Sequence, residues 1–97
     1  GIEPISTITP GKFSLEQNFP NPFNPETNIR FSVPEKSFVK IKIFDVTGKL
    51  VDLLLNENIN AGTYEVKWNA SLKPSGIYFY RIESGNFNKT RKMIVVK

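Results

Sequence analysis

Hydrophobic and polar residues alternate along most of the chain, with the period of two that is typical of strands with one buried face. The alternation is clearest at residues 27–33, 39–43 and 63–69. Residues 76–83 are apolar at consecutive positions, which favours a central strand covered on both faces. The inward side chains of these four segments are predicted to form the core: Ile29, Phe31, Val33, Val39, Ile41, Ile43, Tyr64, Val66, Trp68, Tyr78, Tyr80 and Ile82.

The remaining predicted strands lie at residues 13–17, 49–55 and 89–97. The middle one is the least regular, because Leu50, Leu53 and Leu54 also fit one face of a short helix. A strand is favoured, since the segment directly follows an Asp-Val-Thr-Gly sequence at residues 45–48. That sequence is typical of a tight hairpin turn, in which Asp accepts backbone amide hydrogens and Gly supplies a positive φ.

Turn residues separate these strands at short, regular intervals, and no helical period of useful length appears. Residues 56–62 are predicted to be a polar loop. Phe44 falls on the lysine side of its strand, and we expect a loop to cover it. About seven short strands of this kind indicate an all-β protein, built as two antiparallel sheets packed face to face.

Residues 19–25 read Phe-Pro-Asn-Pro-Phe-Asn-Pro and are named the Asn–Pro loop here. Each proline fixes its own φ, removes a backbone donor and disfavours helix at the preceding residue. The loop can therefore be neither helix nor central strand. Its two phenylalanines indicate that it packs against the rest of the protein.

Residues 1–12 have no clear period and are interpreted as a linker from an upstream domain, which leaves residues 13–97 as the folded domain. The chain begins at Gly1 rather than Met, so we expect it to be a piece of a longer protein.

The composition excludes several classes of chemistry, because the chain has neither Cys nor His. Disulfides, the usual zinc and copper sites, and Cys-His or Ser-His catalytic dyads all need one of these residues. The carboxylates are scattered, and Asp45 is explained by its turn rather than by calcium binding. No apolar run is long enough to span a membrane. We therefore expect a non-catalytic protein with no metal or cofactor, and one that is not embedded in a membrane.

The positive charge is concentrated in the last predicted strand. Residues 86–97 carry four basic side chains and no acidic one, which equals the net charge of +4 of the whole chain. Lysines on an edge strand discourage pairing with other chains. The alternative is a docking surface for an acidic partner. Nucleic acid is not expected as a partner, because the chain contains no motif of a known nucleic-acid-binding module.

The aromatic residues leave a second function open, that of a carbohydrate-binding or adhesive module of a secreted enzyme. Trp68, Tyr78 and Tyr80 could form a sugar-stacking platform if their rings were exposed. Their alternation with other apolar residues favours the core instead. The exposure of these three rings separates the two interpretations.

Five ordered motifs resemble a known family. Residues 18–27 (NFPNPFNPET) resemble the NYPNPFNPTT opening of the type A C-terminal sorting domains of the type IX (Por) secretion system. Residues 43–51 (IFDVTGKLV) are similar to the IYDLTGRLV hairpin of that family, and residues 61–69 (AGTYEVKWN) to its AGxHxVxWD strand. Residues 75–82 (SGIYFYRI) and 89–97 (KTRKMIVVK) resemble its SGVYFYRL and terminal xTKKMVLLK segments. The departures are small, with Phe19 and Phe44 in place of Tyr and Asn69 in place of Asp.

The resemblance implies an Ig-like β-sandwich, similar to the Ig-like domain of flagellar hook-capping proteins. It implies a non-catalytic sorting signal that follows a cargo domain, reaches the periplasm and is recognised by the outer-membrane translocon. A sortase-like peptidase then removes the domain by cleavage within residues 1–12, and the cargo is secreted or attached to the cell surface. By motif position, the residues that the translocon recognises are Pro20, Asn21, Pro22, Gly76, Tyr78, Lys92 and Lys97.

A structural interpretation of the same residues stays open beside this one. Gly76 and Tyr78 also fit a turn and a core position, and Pro20 and Pro22 also fit a loop that closes one end of the sandwich. The two interpretations are compatible, since a sorting machine can recognise a folded shape.

Overall fold

Period-two segments joined by short turns fold into seven antiparallel strands in the computed structural model, which describes residues 1–97. The strands are β1 (Ser14–Leu15), β2 (Glu26–Val33), β3 (Ser37–Asp45), β4 (Leu50–Ile59), β5 (Gly62–Asn69), β6 (Gly76–Ser84) and β7 (Phe87–Val95). One sheet has the order β1-β2-β5 and the other the order β4-β3-β6-β7, and together they form the predicted all-β sandwich. The structure contains no helix that could span a membrane.

The core lies between the sheets and is formed largely by the predicted inward residues. All twelve of them are buried except Val66, which is partly buried against the core. Burial of each large apolar side chain stabilises the fold by about 1.5–3 kcal/mol relative to exposure. The sequence prediction omitted seven further apolar core residues, which come from β1, β4, β7 and two loops: Leu15, Phe23, Leu55, Ile59, Ala70, Met93 and Val95.

β4 is a strand, as predicted, but it continues to Ile59, so the prediction of a polar loop over residues 56–62 is wrong. Leu55 and Ile59 are buried, at 7% and 5% exposure, although polar residues lie between them. The register with β3 shifts twice, between Ile41 and Lys42 and between Ile43 and Phe44. Because β4 is an edge strand with irregular pairing, its side chains do not follow the simple alternation that the prediction used.

β6 is central in its sheet, between β3 and β7, and its inner face is buried as predicted. The expectation of cover on both faces is wrong, because no second layer lies over its outer face and Ile77 is 41% exposed. Phe44 on β3 is also not covered by a loop. The Arg81 guanidinium lies over its ring instead, 4.6 Å from the ring centroid.

The first residues of the chain contact the free edge of β5. The backbone N–H of Ile5 donates to the Thr63 carbonyl (2.7 Å), and the Thr63 N–H donates to the Ser6 carbonyl (3.0 Å). Gly62 permits this approach, because a Cβ at this position would lie 2.8 Å from the Ser6 carbonyl oxygen. Its φ of +154° is also a conformation that side-chain-bearing residues rarely adopt.

Replacing Gly62 by alanine is expected to destabilise the domain by more than about 1 kcal/mol, because it adds both a steric clash and backbone strain. The free energy of unfolding from urea titration measures the loss. Gly11→Ala is the matched control, since nothing lies within 4 Å of a Cβ built there. Removal of residues 1–6 should lower the cost of Gly62→Ala, and an unchanged cost would contradict the role assigned to Ser6.

Candidate recognition site

The Asn–Pro loop lies against the outer edge of β7 and is hydrogen-bonded to it. The Ile94 N–H donates to Asn21 Oδ1 (3.0 Å), and the Phe23 N–H donates to the Ile94 carbonyl (3.1 Å). The Val96 N–H in turn donates to the Phe23 carbonyl (3.0 Å), which completes a short parallel bridge between Phe23 and Val95. The loop thus supplies partners to backbone groups that an edge strand leaves unpaired.

Side-chain contacts extend this cover towards the start of β7. Gln17 Nε2 donates to the Lys92 carbonyl (2.7 Å), and Arg91 Nε donates to the Leu15 carbonyl (2.6 Å). The segment from Leu15 to Phe23 therefore runs along β7 and joins the two sheets at this edge. Edge protection of β7 rests on these contacts as well as on its basic side chains.

Only one of the two phenylalanines of the loop packs into the core. Phe23 is 3% exposed and meets the Trp68 indole edge-on, with ring centroids 5.9 Å apart. Phe19 is 77% exposed. The prediction that the loop packs on the sandwich is confirmed for Phe23 and is wrong for Phe19.

A buried hydrogen-bond network fixes the start of the Asn–Pro loop. Asn18 Nδ2 donates to Thr27 Oγ1 (2.9 Å), and the Thr27 hydroxyl donates to the Pro20 carbonyl (2.8 Å). The Tyr80 hydroxyl accepts from the Asn18 N–H (2.8 Å) and donates to the Glu16 carbonyl (2.7 Å). Burial raises the pKa of Tyr80 to about 12. The network links the Asn–Pro loop to β6 of the four-stranded sheet.

The predicted recognition residues of the loop are accessible. Pro20, Asn21 and Pro22 are all exposed, although the Asn21 carboxamide oxygen is engaged by β7. Gly76 is exposed at the start of β6 and lies opposite Val95 of β7. These positions share the end of the sandwich where the loop meets the last strand.

The other three predicted residues differ in their surroundings. Tyr78 is 6% exposed, and its hydroxyl donates to the Pro74 carbonyl four residues earlier (2.8 Å), as in the tyrosine corner of Ig-like sandwiches. Lys92 is exposed. Lys97 is exposed too, and its Nζ donates to the Ser71 carbonyl (2.6 Å), which ties the last residue to the β5–β6 loop. The structure thus groups six of the seven predicted residues on the surface near β7 and places Tyr78 beneath them.

Several residues that build this surface were not among the predicted recognition residues. Gln17, Asn18 and Arg91 are polar residues whose contacts join segments up to 76 residues apart, although Asn18 and Arg91 lie within the family motifs. The hydrophobic pattern does not report such pairings, because it describes local structure only.

The residues of the sugar-stacking alternative are not available to a ligand. Trp68 is 1% exposed, Tyr78 6% and Tyr80 0%. The Trp68 indole packs edge-on against Tyr78, with centroids 5.3 Å apart, and its Nε1–H donates to Asp52 Oδ2 (3.0 Å). These rings form the core rather than a platform.

The family model described as "Secretion system C-terminal sorting domain" matches residues 17–97. The chain belongs to this family of sorting domains. It is a C-terminal sorting signal of the type IX secretion system, which exports the protein that carries it to the medium or the cell surface. Members of the family are generally non-catalytic.

The sorting domain is also similar to part of a solved structure. That structure is PorZ of Porphyromonas gingivalis, described as an essential bacterial surface component of the type IX secretion system. The identity is 23% over 88% of this chain, with a TM-score of 0.59. The match spans 11% of the PorZ chain and shows a shared fold. No curated protein matches the sorting domain in sequence.

Proposed function

We propose that the outer-membrane translocon recognises this sorting domain in its folded state, at the composite surface formed by the Asn–Pro loop and β7. The observation that carries the proposal is the direct hydrogen bonding between the two segments, through Asn21, Phe23, Ile94 and Val96. Each segment supplies hydrogen-bond partners to the other, so the composite surface needs both segments in their folded positions. The exposed residues Pro20 and Pro22 are therefore presented by a surface that exists only in the folded protein.

The basic end of the chain adds charge to this surface. Lys92 and Lys97 are exposed and lie on or directly after β7. Cationic side chains beside a defined loop favour an acidic partner and accelerate its association. Gly76 is exposed beside this surface, opposite Val95 of β7, and Tyr78 supports the surface from the inner face of β6.

The proposal also covers the export route of the sorting domain and its removal from the cargo. The sorting domain, residues 13–97, follows the cargo into the periplasm before the translocon acts, and it performs no catalysis itself. A sortase-like peptidase cleaves within residues 1–12. Within that range, residues 7–12 form no backbone hydrogen bond to a strand and Ile8 is 80% exposed, whereas the backbones of Ile5 and Ser6 are bonded to β5.

Fusion of the 97-residue chain to a periplasmic reporter tests the proposal in a host that has the secretion system. Asn21→Ala should reduce export of the reporter about tenfold, if lost docking of the loop costs about 1.4 kcal/mol of recognition. Asn24→Ala is the matched control, because Asn24 is exposed in the same loop and makes no side-chain hydrogen bond. The reporter activity outside the cells is the measurement.

Asn21→Asp tests whether the hydrogen bond to β7 or the amide group itself is required, because a carboxylate oxygen can still accept from the Ile94 N–H. Export by this variant should exceed that of Asn21→Ala. Equal export by the wild type and Asn21→Ala would contradict recognition at the composite surface. A wild-type fusion that stays in the periplasm would contradict the route itself.

A further inference from the structure

The two outer faces of the sandwich differ in composition. On the face of the three-stranded sheet, paired outward positions are polar throughout: Asn28 with Lys67, Arg30 with Glu65, and Ser32 with Thr63. On the face of the four-stranded sheet, outward positions include six apolar side chains, named the apolar patch: Phe44, Leu50, Leu53, Ile77, Phe79 and Ile94. The first face is typical of a sheet in contact with water, and the second is not.

The strand register makes the apolar patch continuous. Leu50 lies opposite Phe44, Phe44 opposite Phe79, and Ile77 opposite Ile94. The exposed fractions are 48% for Leu50, 44% for Leu53 and 41% for Ile77. Phe44, Phe79 and Ile94 between them are partly exposed, and the Arg81 guanidinium lies over the Phe44 ring. A contiguous apolar area that reaches the surface of a folded domain marks an interaction site.

Basic side chains surround the apolar patch. Lys40, Lys42, Arg81 and Lys92 occupy the neighbouring outward positions, and Glu83 is the acid among them, so that four cations and one carboxylate give +3. Glu83 holds two of the cations in place, through Lys42 Nζ (2.9 Å) and Arg81 Nε (2.6 Å). These hydrogen bonds, chiefly that from Lys42, keep the pKa of the Glu83 carboxyl below its ordinary value. The cations are therefore pre-positioned on a face whose net charge is positive.

We propose that this face docks on another protein whose surface presents apolar side chains bordered by Asp and Glu. Charge complementarity favours this occupant over a second copy, because two identical faces would bring like charges together. It also favours a protein over a bilayer. The apolar side chains project from one sheet and none is more than 48% exposed, whereas insertion into lipid needs apolar groups that reach the acyl boundary.

Photo-crosslinking in an exporting host tests the docking face. A photoreactive residue is placed in the reporter fusion at Leu53 or Ile77 within the apolar patch, or at Lys67 on the polar face as the control. The first two positions should give a covalent adduct with one protein of discrete mass. Peptide mapping of that adduct should place the crosslink beside carboxylates. The Lys67 position should give no such adduct.

Charge reversal shows whether the adduct depends on the proposed chemistry. Lys40→Glu with Lys42→Glu should lower the adduct yield about tenfold, since like charges then face each other across the interface. Arg30→Glu with Lys67→Glu is the matched control on the polar face. In each double variant one of the reversed cations forms an ion pair, which is Arg30 with Glu65 in the control and Lys42 with Glu83 in the test. Leu53→Ser, at a 44% exposed position, should lower the yield as well, and thermal denaturation verifies that each variant folds.

Each other outcome overturns the proposal. These outcomes are equal adducts from all three positions, adducts with lipid or with a second copy, and adducts that survive the Lys40 and Lys42 reversals. Binding of the purified chain to vesicles of phosphatidylcholine and phosphatidylglycerol in equal parts, lost with the same reversals, would assign the face to a membrane instead. Different outcomes contradict the docking proposal and the sorting proposal. Export without an adduct contradicts the docking proposal, and an adduct on a fusion retained in the periplasm contradicts the sorting proposal.

Discussion

Replacing Trp68 by alanine is expected to lower the free energy of unfolding by about 3–5 kcal/mol. The indole fills one end of the core, between Phe23 of the Asn–Pro loop and Tyr78 of β6. Its removal leaves a cavity that backbone shifts can fill only in part, and it takes away the Nε1–H that Asp52 accepts. Urea titration followed by circular dichroism measures the change. Because Phe23 loses its aromatic neighbour, the loop should become more sensitive to proteases than the rest of the domain.

Two variants set the scale for this result. Trp68→Phe keeps an aromatic ring and should cost less than the alanine variant. Leu72→Ala, at a side chain that is 95% exposed, should change stability by no more than about 0.5 kcal/mol. A Trp68→Ala protein as stable as the Leu72→Ala protein would contradict the placement of the indole in the core.

Replacing Tyr80 by phenylalanine is expected to cost about 1–3 kcal/mol, because it leaves the buried N–H of Asn18 without an acceptor. Tyr78→Phe is the matched control on the same strand. It loses a single hydrogen bond to the carbonyl of Pro74, an exposed residue in a loop that water can reach, and should cost less. Urea titration of both variants at neutral pH makes the comparison, and equal losses would contradict the role given to the Asn18 network.

Because the Tyr80 hydroxyl is buried, we also expect the free energy of unfolding to depend on pH in the alkaline range. Burial raises its pKa from 10.0 to about 12, so the fold favours the protonated phenol. The stability from this group is complete below pH 10, the unfolded value, and is lost as pH rises through about 12. The stability difference between wild type and Tyr80→Phe should therefore shrink over this interval. A difference that stays constant would contradict the burial of an ionisable hydroxyl.

The period-two segments were enough to predict the sandwich and the inner faces of its main strands. Ile29, Phe31 and Val33 illustrate why, since alternation in a strand with one buried face assigns each side chain to a side. The same pattern could not predict that β4 continues through residues 56–59, because an irregular edge strand tolerates polar residues at most positions. It also could not distinguish Phe19 from Phe23. Both lie between proline and asparagine, and it is the contacts of Phe23 with the distant Trp68 and with β7 that bury its ring.

The family motifs indicate candidate recognition residues but not how these residues assemble: Pro20, Asn21, Pro22, Gly76, Tyr78, Lys92 and Lys97. Nothing local shows that Asn21 accepts a hydrogen bond from Ile94, 73 residues later. The N-terminal residues show the same limit. Their composition indicates a linker, whereas Ile5 and Ser6 pair with Thr63, beside a glycine that the hydrophobic pattern places in a polar loop.

Because residues 15–23 pair with β7, the recognition surface of the sorting domain forms only after both segments have been synthesised. Asn21 leaves the ribosome 73 residues before Ile94, the residue to which it is hydrogen-bonded. Contacts of such large sequence separation form late in folding, because they close a long loop. A product truncated before Ile94 therefore cannot display the surface, whatever the state of its cargo. A translocon that binds there would reject incomplete chains without a separate proofreading step.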